Sequence, residues 1–323
     1  MNTWPFPLPT LFRSRTVSHA MTDTETAGEF VHQPVMPEEI LEVFGLCPGA
    51  TVVDCTLGLG GHTRRFLDAV TPGGTVLGLD WDENMLAVAR RNLGEPKDVR
   101  LITRHADFRQ LKEVLEAERL VPDAVLMDLG LNSAQVDDRE RGFSFRDEGP
   151  LDMRMDRSTG EPASALLNRL SPHEIENILF EFGDERWARA IAKVIVERRR
   201  TQPLRTTKDL VDAVLAAVPP GARERRIHPA TRVFQSVRIA VNRELEGLRE
   251  AVLDAAESLT RGGVIAVLSY HAGEDRIIKS AFRKLAEADF EELYRKPLVP
   301  TAAEIDRNRR SRSAKLRALR RIA

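Results

Sequence analysis

The sequence predicts an α/β protein built on a doubly wound, Rossmann-like parallel sheet that carries a small all-α insertion. Three observations lead there. Short β-branched runs recur at helix-separated intervals, a glycine-rich turn follows the first of them, and the alternation stops near residue 137 to resume near residue 230. The chain therefore divides into a leader (1–29), a sheet domain (30–136 plus 230–323) and an inserted helical domain (137–229).

The leader holds Pro5, Pro7, Pro9, Arg13 and Arg15 without a continuous apolar stretch or a small-residue cleavage site, so it reads as disordered and not as a secretion signal. Met21 is a second candidate start. Folded sequence begins near His32, and Pro37 stands where the first turn of a helix tolerates it, followed by Ile40, Leu41 and Phe44. Strands are expected at Thr51–Cys55, Thr75–Leu79, Val99–Thr103 and Ala124–Met127, with helices at Glu83–Asn92 and Phe108–Leu120 between them.

From Leu129 to Thr159 no periodicity is visible. Ser171, Pro172 and Glu174 then form a capping box that opens a helix burying Ile175, Ile178, Leu179 and Phe182. A second helix buries Trp187, Ile191 and Ile195, and a third, capped near Thr206, runs to Pro219. One long helix from Thr231 is expected to carry Phe234, Val237, Val241, Leu245 and Leu248 as a single stripe. A strand at Val264–Tyr270, a helix at Asp275–Ala286 and a last strand around Ala314–Leu319 complete the chain.

No apolar run reaches about eighteen residues, which excludes a conventional transmembrane helix and removes a membrane from the expected partners. Cys47 and Cys55 lack paired metal or redox spacing and read as reduced thiols of a cytoplasmic protein, with no metal site expected. Net charge is −1, so a nucleic-acid surface must come from local segregation. Arginines do segregate: Arg198, Arg199, Arg200 and Arg205, then Arg223, Arg225, Arg226 and Arg232, then the stretch Arg307–Arg321.

The candidate site starts in Val52–His62, where Gly58, Gly60 and Gly61 let the main chain approach a nucleotide-like ligand at a helix start. Asp80 ends the second strand about twenty residues past the glycines, where a carboxylate accepts from ribose hydroxyls. Asp107 and Asp128 follow the third and fourth strands, and Asp54, Asp80 and Asp107 are candidate acceptors for an ammonium, a ribose and an adenine amine. Both a nicotinamide dinucleotide and S-adenosyl-L-methionine suit such a loop, but the third glycine of the dinucleotide fingerprint is Thr63 here, which favours the latter.

Asp54–His62 with its Gly-Leu-Gly-Gly-His ending, Asp128-Leu-Gly, Gln135-Val-Asp-Asp, Arg141-Gly-Phe-Ser-Phe, Leu151-Asp-Met-Arg-Met-Asp156, His228-Pro-Ala-Thr-Arg232 and Glu274-Asp-Arg276 together resemble the ribosomal RNA small-subunit methyltransferase H family, from about His32 to Ile322. The resemblance implies a class I S-adenosylmethionine-dependent methyltransferase that methylates the N4 amine of a decoding-region cytidine of 16S ribosomal RNA. It implies that Gly60, Gly61 and His62 line the methionine end of the cofactor, Asp80 holds the ribose, Phe108 packs on adenine, and Asp128 and Gln135 complete the pocket.

The Asp/Asn-Pro-Pro-aromatic motif of many amino-methylating enzymes is replaced by Asp128-Leu-Gly-Leu-Asn-Ser133, so backbone carbonyls near Leu129 with Asn132 or Ser133 are expected to accept the amine hydrogens. Tyr270 and His271 are candidates to stack on or hydrogen-bond an extruded base, and Arg154, Arg232 and Arg238 to meet RNA phosphate. Asn132 and Ala134 depart from the family's usual Ser-Ser-Pro, and Tyr270, Ala272 and Gly273 from its usual Phe, Ser and Leu. A methyltransferase of another RNA or of DNA, or a catalytically silent RNA-binding assembly factor, would share most of these features. The sequence leaves open naked RNA or assembled small subunit as substrate, and a possible homodimer.

Overall fold

The computed structural model describes residues 33–224 and 227–323; the expected leader and Arg225 and Arg226 lie outside the described residues. The chain opens with α1 (Pro37–Phe44), begun by its proline and ended by Gly45 in the left-handed region. The expected alternation follows as β1 (Thr51–Asp54), α2 (Gly61–Val70), β2 (Thr75–Asp80), α3 (Glu83–Leu93), β3 (Arg100–His105), α4 (Leu111–Glu118) and β4 (Ala124–Asp128). These four strands run parallel, with β1 between β2 and β4.

After β4 come α5 (Ser133–Asp137), α6 (Ala163–Arg169), α7 (Pro172–Gly183), α8 (Ala188–Arg198), α9 (Thr207–Ala217) and α10 (Ala230–Asn242). Then α11 (Leu248–Glu257), β5 (Val264–Ser269), α12 (Ala272–Leu285), β6 (Phe290–Glu292), α13 (Ala302–Arg307) and β7 (Lys315–Arg321) close the chain. The seven strands lie in the order β3-β2-β1-β4-β5-β7-β6, with β7 antiparallel to both β5 and β6. This is the Rossmann-like, mostly parallel sheet that the sequence predicts.

Because side chains alternate across a strand, the buried runs feed two cores. Val53, Leu77, Val125 and Ile265 pack with Leu111, Leu248 and Phe282 on one face. Val52, Val76, Leu126 and Ala266 pack with Ile40, Phe66 and Leu86 on the other. A third cluster belongs to the helices after β4, where Ile175, Leu179, Ile191, Ile195, Leu210 and Val214 meet Leu151, Met153 and Met155. The capping boxes at Ser171 and Thr206 form as expected. No helix among the described residues is long and apolar enough to cross a membrane.

One expectation changes. The single long helix from Thr231 is two helices: α10 ends at Arg243 in the left-handed region (φ +52°), and α11 starts after Gly247 (φ +69°). The break lets Val237 bury among the helices while Leu248 buries against the sheet, so the apolar spacing ran through a turn that separates two cores. The aperiodic stretch after β4 is ordered by hydrogen bonds in place of a stripe: Asn242 Oδ1 accepts Met155 N at 2.7 Å and its Nδ2 donates to Met153 O at 2.7 Å.

Candidate active site

The carboxyl ends of β1, β2, β4 and β5 open into one cavity of about 410 Å³, bounded also by the starts of α5 and α12 and by Thr231, Gln235 and Arg238 on one face of α10. Its floor is the glycine turn. Gly60 has φ +86°, and a Cβ there would stand 3.0 Å from Leu93, so only glycine fits; Gly60 faces Leu93, while Gly58, Gly61 and His62 line the cavity. Asp54 accepts from Thr63 Oγ1 at 2.7 Å and from Thr56 N at 3.2 Å. It is therefore a buttress beneath the turn and not a wall of the cavity, and burial pushes its carboxyl pKa up against the nearby His62.

Asp80 does line the cavity, with Oδ2 accepting Gly58 N at 2.7 Å and Oδ1 accepting Asp82 N at 2.8 Å. Burial raises its pKa from 3.8 to about 7, with those two N–H groups pulling the other way. Phe108 and Trp81 flank the adjoining part, and the Arg109 guanidinium lies 5.6 Å from the Trp81 ring centre and 5.8 Å from that of Phe108. Asp107 is spent elsewhere, capping the turn at Phe108–Gln110 and pairing with Arg109, so it is not the adenine acceptor expected of it.

Gln135 is buried in the wall, and its Nε2 donates to Asp82 Oδ2 at 3.0 Å. The same oxygen is 2.7 Å from Arg141 Nη1. Arg141 also donates to Arg154 O at 3.0 Å and Met155 O at 2.8 Å, which ties the cavity wall to the helical lobe.

On the β4–β5 side the Tyr270 hydroxyl donates to Asp128 Oδ1 at 2.6 Å. Burial and that carboxylate push the Tyr270 pKa well above 10.0, so the phenol stays a donor. Asp128 Oδ2 is 3.5 Å from His62 Nε2, a buried nitrogen without a hydrogen-bond partner. Asn132 lines the cavity and caps α5, its Oδ1 accepting Gln135 N at 2.9 Å, which occupies one of that oxygen's two lone pairs. Ser133 lines the cavity beside it.

His271 caps α12 through Nδ1, which accepts from Glu274 N at 3.4 Å; its Nε2 is 3.1 Å from Glu274 Oε1 but out of hydrogen-bonding alignment. Glu244, His271 and Glu274 bring ligand-type atoms within 4.8 Å of one another. Arg238 already neutralises Glu244 with two 2.7 Å bonds, and Glu274 Oε2 accepts the N–H of Tyr270 at 2.8 Å.

The three arginines expected at RNA phosphate are likewise engaged. Arg238 is paired inside the cavity wall, Arg154 clasps Asp152 with Nε at 2.7 Å, and Arg232 pairs with Glu224 at 3.2 Å. Each guanidinium already has part of its charge and donors engaged by a carboxylate. Trp81, Arg109, Asp82 and Arg141 were not singled out from sequence as site residues; the Trp81-Asp82 pair directly after Asp80 was the available signal.

The cavity suits a cofactor with an adenosyl group and a zwitterionic tail: an aromatic slot, a ribose-height carboxylate and an orphaned imidazole nitrogen follow one another along its wall. Curated relatives named ribosomal RNA small subunit methyltransferase H are similar to this chain along almost their whole length. The protein from Syntrophotalea carbinolica is 44% identical over 314 residues, covering 92% of this chain and 100% of its own. That from Trichlorobacter lovleyi is 43% identical, covering 90% and 98% respectively. One from Thermomicrobium roseum is 43% identical, covering 90% and 94%. With the model of the MraW methylase family matching residues 29–322 and these relatives aligned end to end, the chain belongs to the MraW methylase family.

Proposed function

We propose that this protein transfers a methyl group from S-adenosyl-L-methionine to the N4 amine of a decoding-region cytidine of 16S ribosomal RNA, within the small subunit and in the bacterial cytoplasm. The observation that carries the reading is the two-ended cavity. Its β2–β3 end offers Phe108, Trp81 and Asp80, and its β4–β5 end offers Asp128, Ser133, Tyr270 and His271. The names of the curated relatives support the ribosomal RNA substrate.

S-adenosylmethionine supplies an electrophilic methyl group on sulfur. Phe108 and Trp81 would hold the adenine, Asp80 would receive the ribose hydroxyls, and Gly61, His62, Asp128 and Gln135 would receive the methionine end. The N4 lone pair of cytosine is delocalised into the ring, so it attacks only when an acceptor holds an N–H and lets the nitrogen pyramidalise. Backbone carbonyls near Leu129, with Ser133, take that role, while Asn132 fixes the loop as the cap of α5.

With the cofactor bound, a carbon–nitrogen bond would form as the carbon–sulfur bond breaks, the neutral thioether would leave, and the N4 proton, made acidic by methylation, would pass to solvent. Orientation and exclusion of water supply the rate, without a strong general base. The target base leaves its stack to reach the pocket, and Tyr270 and His271 stand where it enters.

The test is transfer of labelled methyl to small subunits from bacteria lacking the modification, followed by nucleoside analysis. Label in N4-methylcytidine is expected. Label absent from cytidine, although the protein binds S-adenosylmethionine, would falsify the assignment.

A further inference from the structure

β7 is antiparallel to β5, with Lys315 opposite Ser269. The chain entering β7 therefore arrives at the same sheet edge as the carboxyl ends of the parallel strands, where the cavity opens. That entering chain is α13 and the 3₁₀ turn Arg309–Ser313, and Asn308, Arg310 and Ser313 line the cavity.

The turn is fixed from within. Ser311 is fully buried and donates to Asn308 O at 2.8 Å, Asn308 Nδ2 donates to Gln33 O at 3.3 Å, and Arg310 pairs with Asp137 at 2.7 Å. At the base of α13, Glu304 accepts Met36 N at 2.7 Å. Held this way, the segment exposes Arg307, Arg309 and Arg312, and no carboxylate among the described residues pairs with any of them.

Arg154, Arg232 and Arg238 contrast with them, since each is already paired with an acid. A guanidinium on an anchored backbone with no internal partner gives up nothing to bind, and its planar fork matches a phosphate bidentately.

We propose that Arg309 and Arg312, with Arg307 beside them, form a phosphate-binding rim that grips the RNA backbone flanking the target nucleotide. The inference rests on the ribosomal RNA reading above. The rim, and not the arginines of the helical lobe, supplies the salt-sensitive part of RNA binding next to the cavity. With the backbone held there, an unstacked base reaches the Tyr270–His271 end of the cavity.

The experiment compares the full-length protein with R309A/R312A, R309K/R312K and a control, K97A/R119A. The control removes two exposed charges from the loops that enter β3 and β4 at the opposite end of the strands. Affinity for unmodified 16S ribosomal RNA is measured from about 0.1 M to about 1 M salt, alongside affinity for S-adenosylmethionine.

Each single-strand phosphate contact contributes about 0.7 to the slope of log affinity against log salt, so losing two removes about 1.4. R309A/R312A is then roughly 25-fold weaker at about 0.1 M salt than expected from its affinity at about 1 M. The lysine pair keeps most of the slope, and cofactor affinity is unchanged.

An unchanged slope in R309A/R312A, or an equal loss in K97A/R119A, overturns the rim. If the alanine pair loses the slope but the parent protein makes no N4-methylcytidine, the rim stands and the reaction assignment falls. If the parent protein does not bind this RNA, the rim falls, and the reaction assignment is decided by the labelled small subunits.

Discussion

Replacing Arg141 by Met tests the join between the cofactor wall and the helical lobe. The Arg141 and Asp82 side chains are 4% and 3% exposed, so their contact is made away from water. Without the guanidinium, Asp82 Oδ2 keeps only the neutral amide of Gln135 at 3.0 Å, and the carbonyls of Arg154 and Met155 lose their donor. Removing one partner of a buried ion pair costs about 3–5 kcal/mol; methionine refills part of the space, which places R141M near about 3 kcal/mol.

D82N alone strands the guanidinium and costs a similar amount, about 3 kcal/mol. The double variant removes both charges while an asparagine oxygen still caps α3, where Asp82 Oδ1 accepts Asn84 N at 3.1 Å. Its loss falls short of the sum by about 2 kcal/mol. Urea unfolding followed by circular dichroism reads all three, and R141M should also weaken S-adenosylmethionine binding because Asp82, which holds Gln135 in the cavity wall, loses the guanidinium that fixes it. An R141M variant within about 1 kcal/mol of the parent, or strictly additive losses, would refute the join.

Tyr270→Phe deletes the 2.6 Å bond to Asp128 without changing the ring. A hydrogen bond to a charged group is worth about 1.5–3 kcal/mol, so kcat/KM for methyl transfer should fall about tenfold or more with the fold intact; unchanged kinetics would discard the pair. Asp80 has its folded pKa raised from 3.8 to about 7, so its contribution to stability is full below about pH 4 and is lost as pH rises through about 7. The stability of the parent relative to D80N should decline across that window, and a flat difference would show that Asp80 is ionised throughout. Gly142→Ala should cost clearly more than Gly160→Ala in thermal unfolding. Both sit at φ +70°, but only at Gly142 would the new Cβ meet a neighbour, Pro150 O at 2.2 Å.

Much of the fold is legible locally because its signals are local. The β-branched runs ending in Asp80 and Asp128, the Ser171 and Thr206 capping boxes and the glycine turn all act through neighbours a few residues away. The break between α10 and α11 was not legible, because apolar spacing does not say which core each residue enters; Val237 and Leu248 share a period and bury in different clusters. For the same reason β6, only three residues long, was missed: it is held by its pairing with β7 and not by a pattern of its own.

The sequence by itself determined the alternation of strands and helices from β1 to β4, the glycine turn and the acids at strand ends, since backbone propensity and alternation are written residue by residue. Only the tertiary structure decided which of those side chains remain available to a ligand. Asp54 and Asp107 are drawn into a buttress and a cap away from the cavity, and Arg154, Arg232 and Arg238 pair with carboxylates, whereas Asp80, Asp128 and Asn132 keep a place on the cavity wall and the arginines before β7 stand at its rim. The reason is physical: charge and hydrogen-bonding capacity are spent on the nearest partner in space, and that partner is set by how distant segments pack.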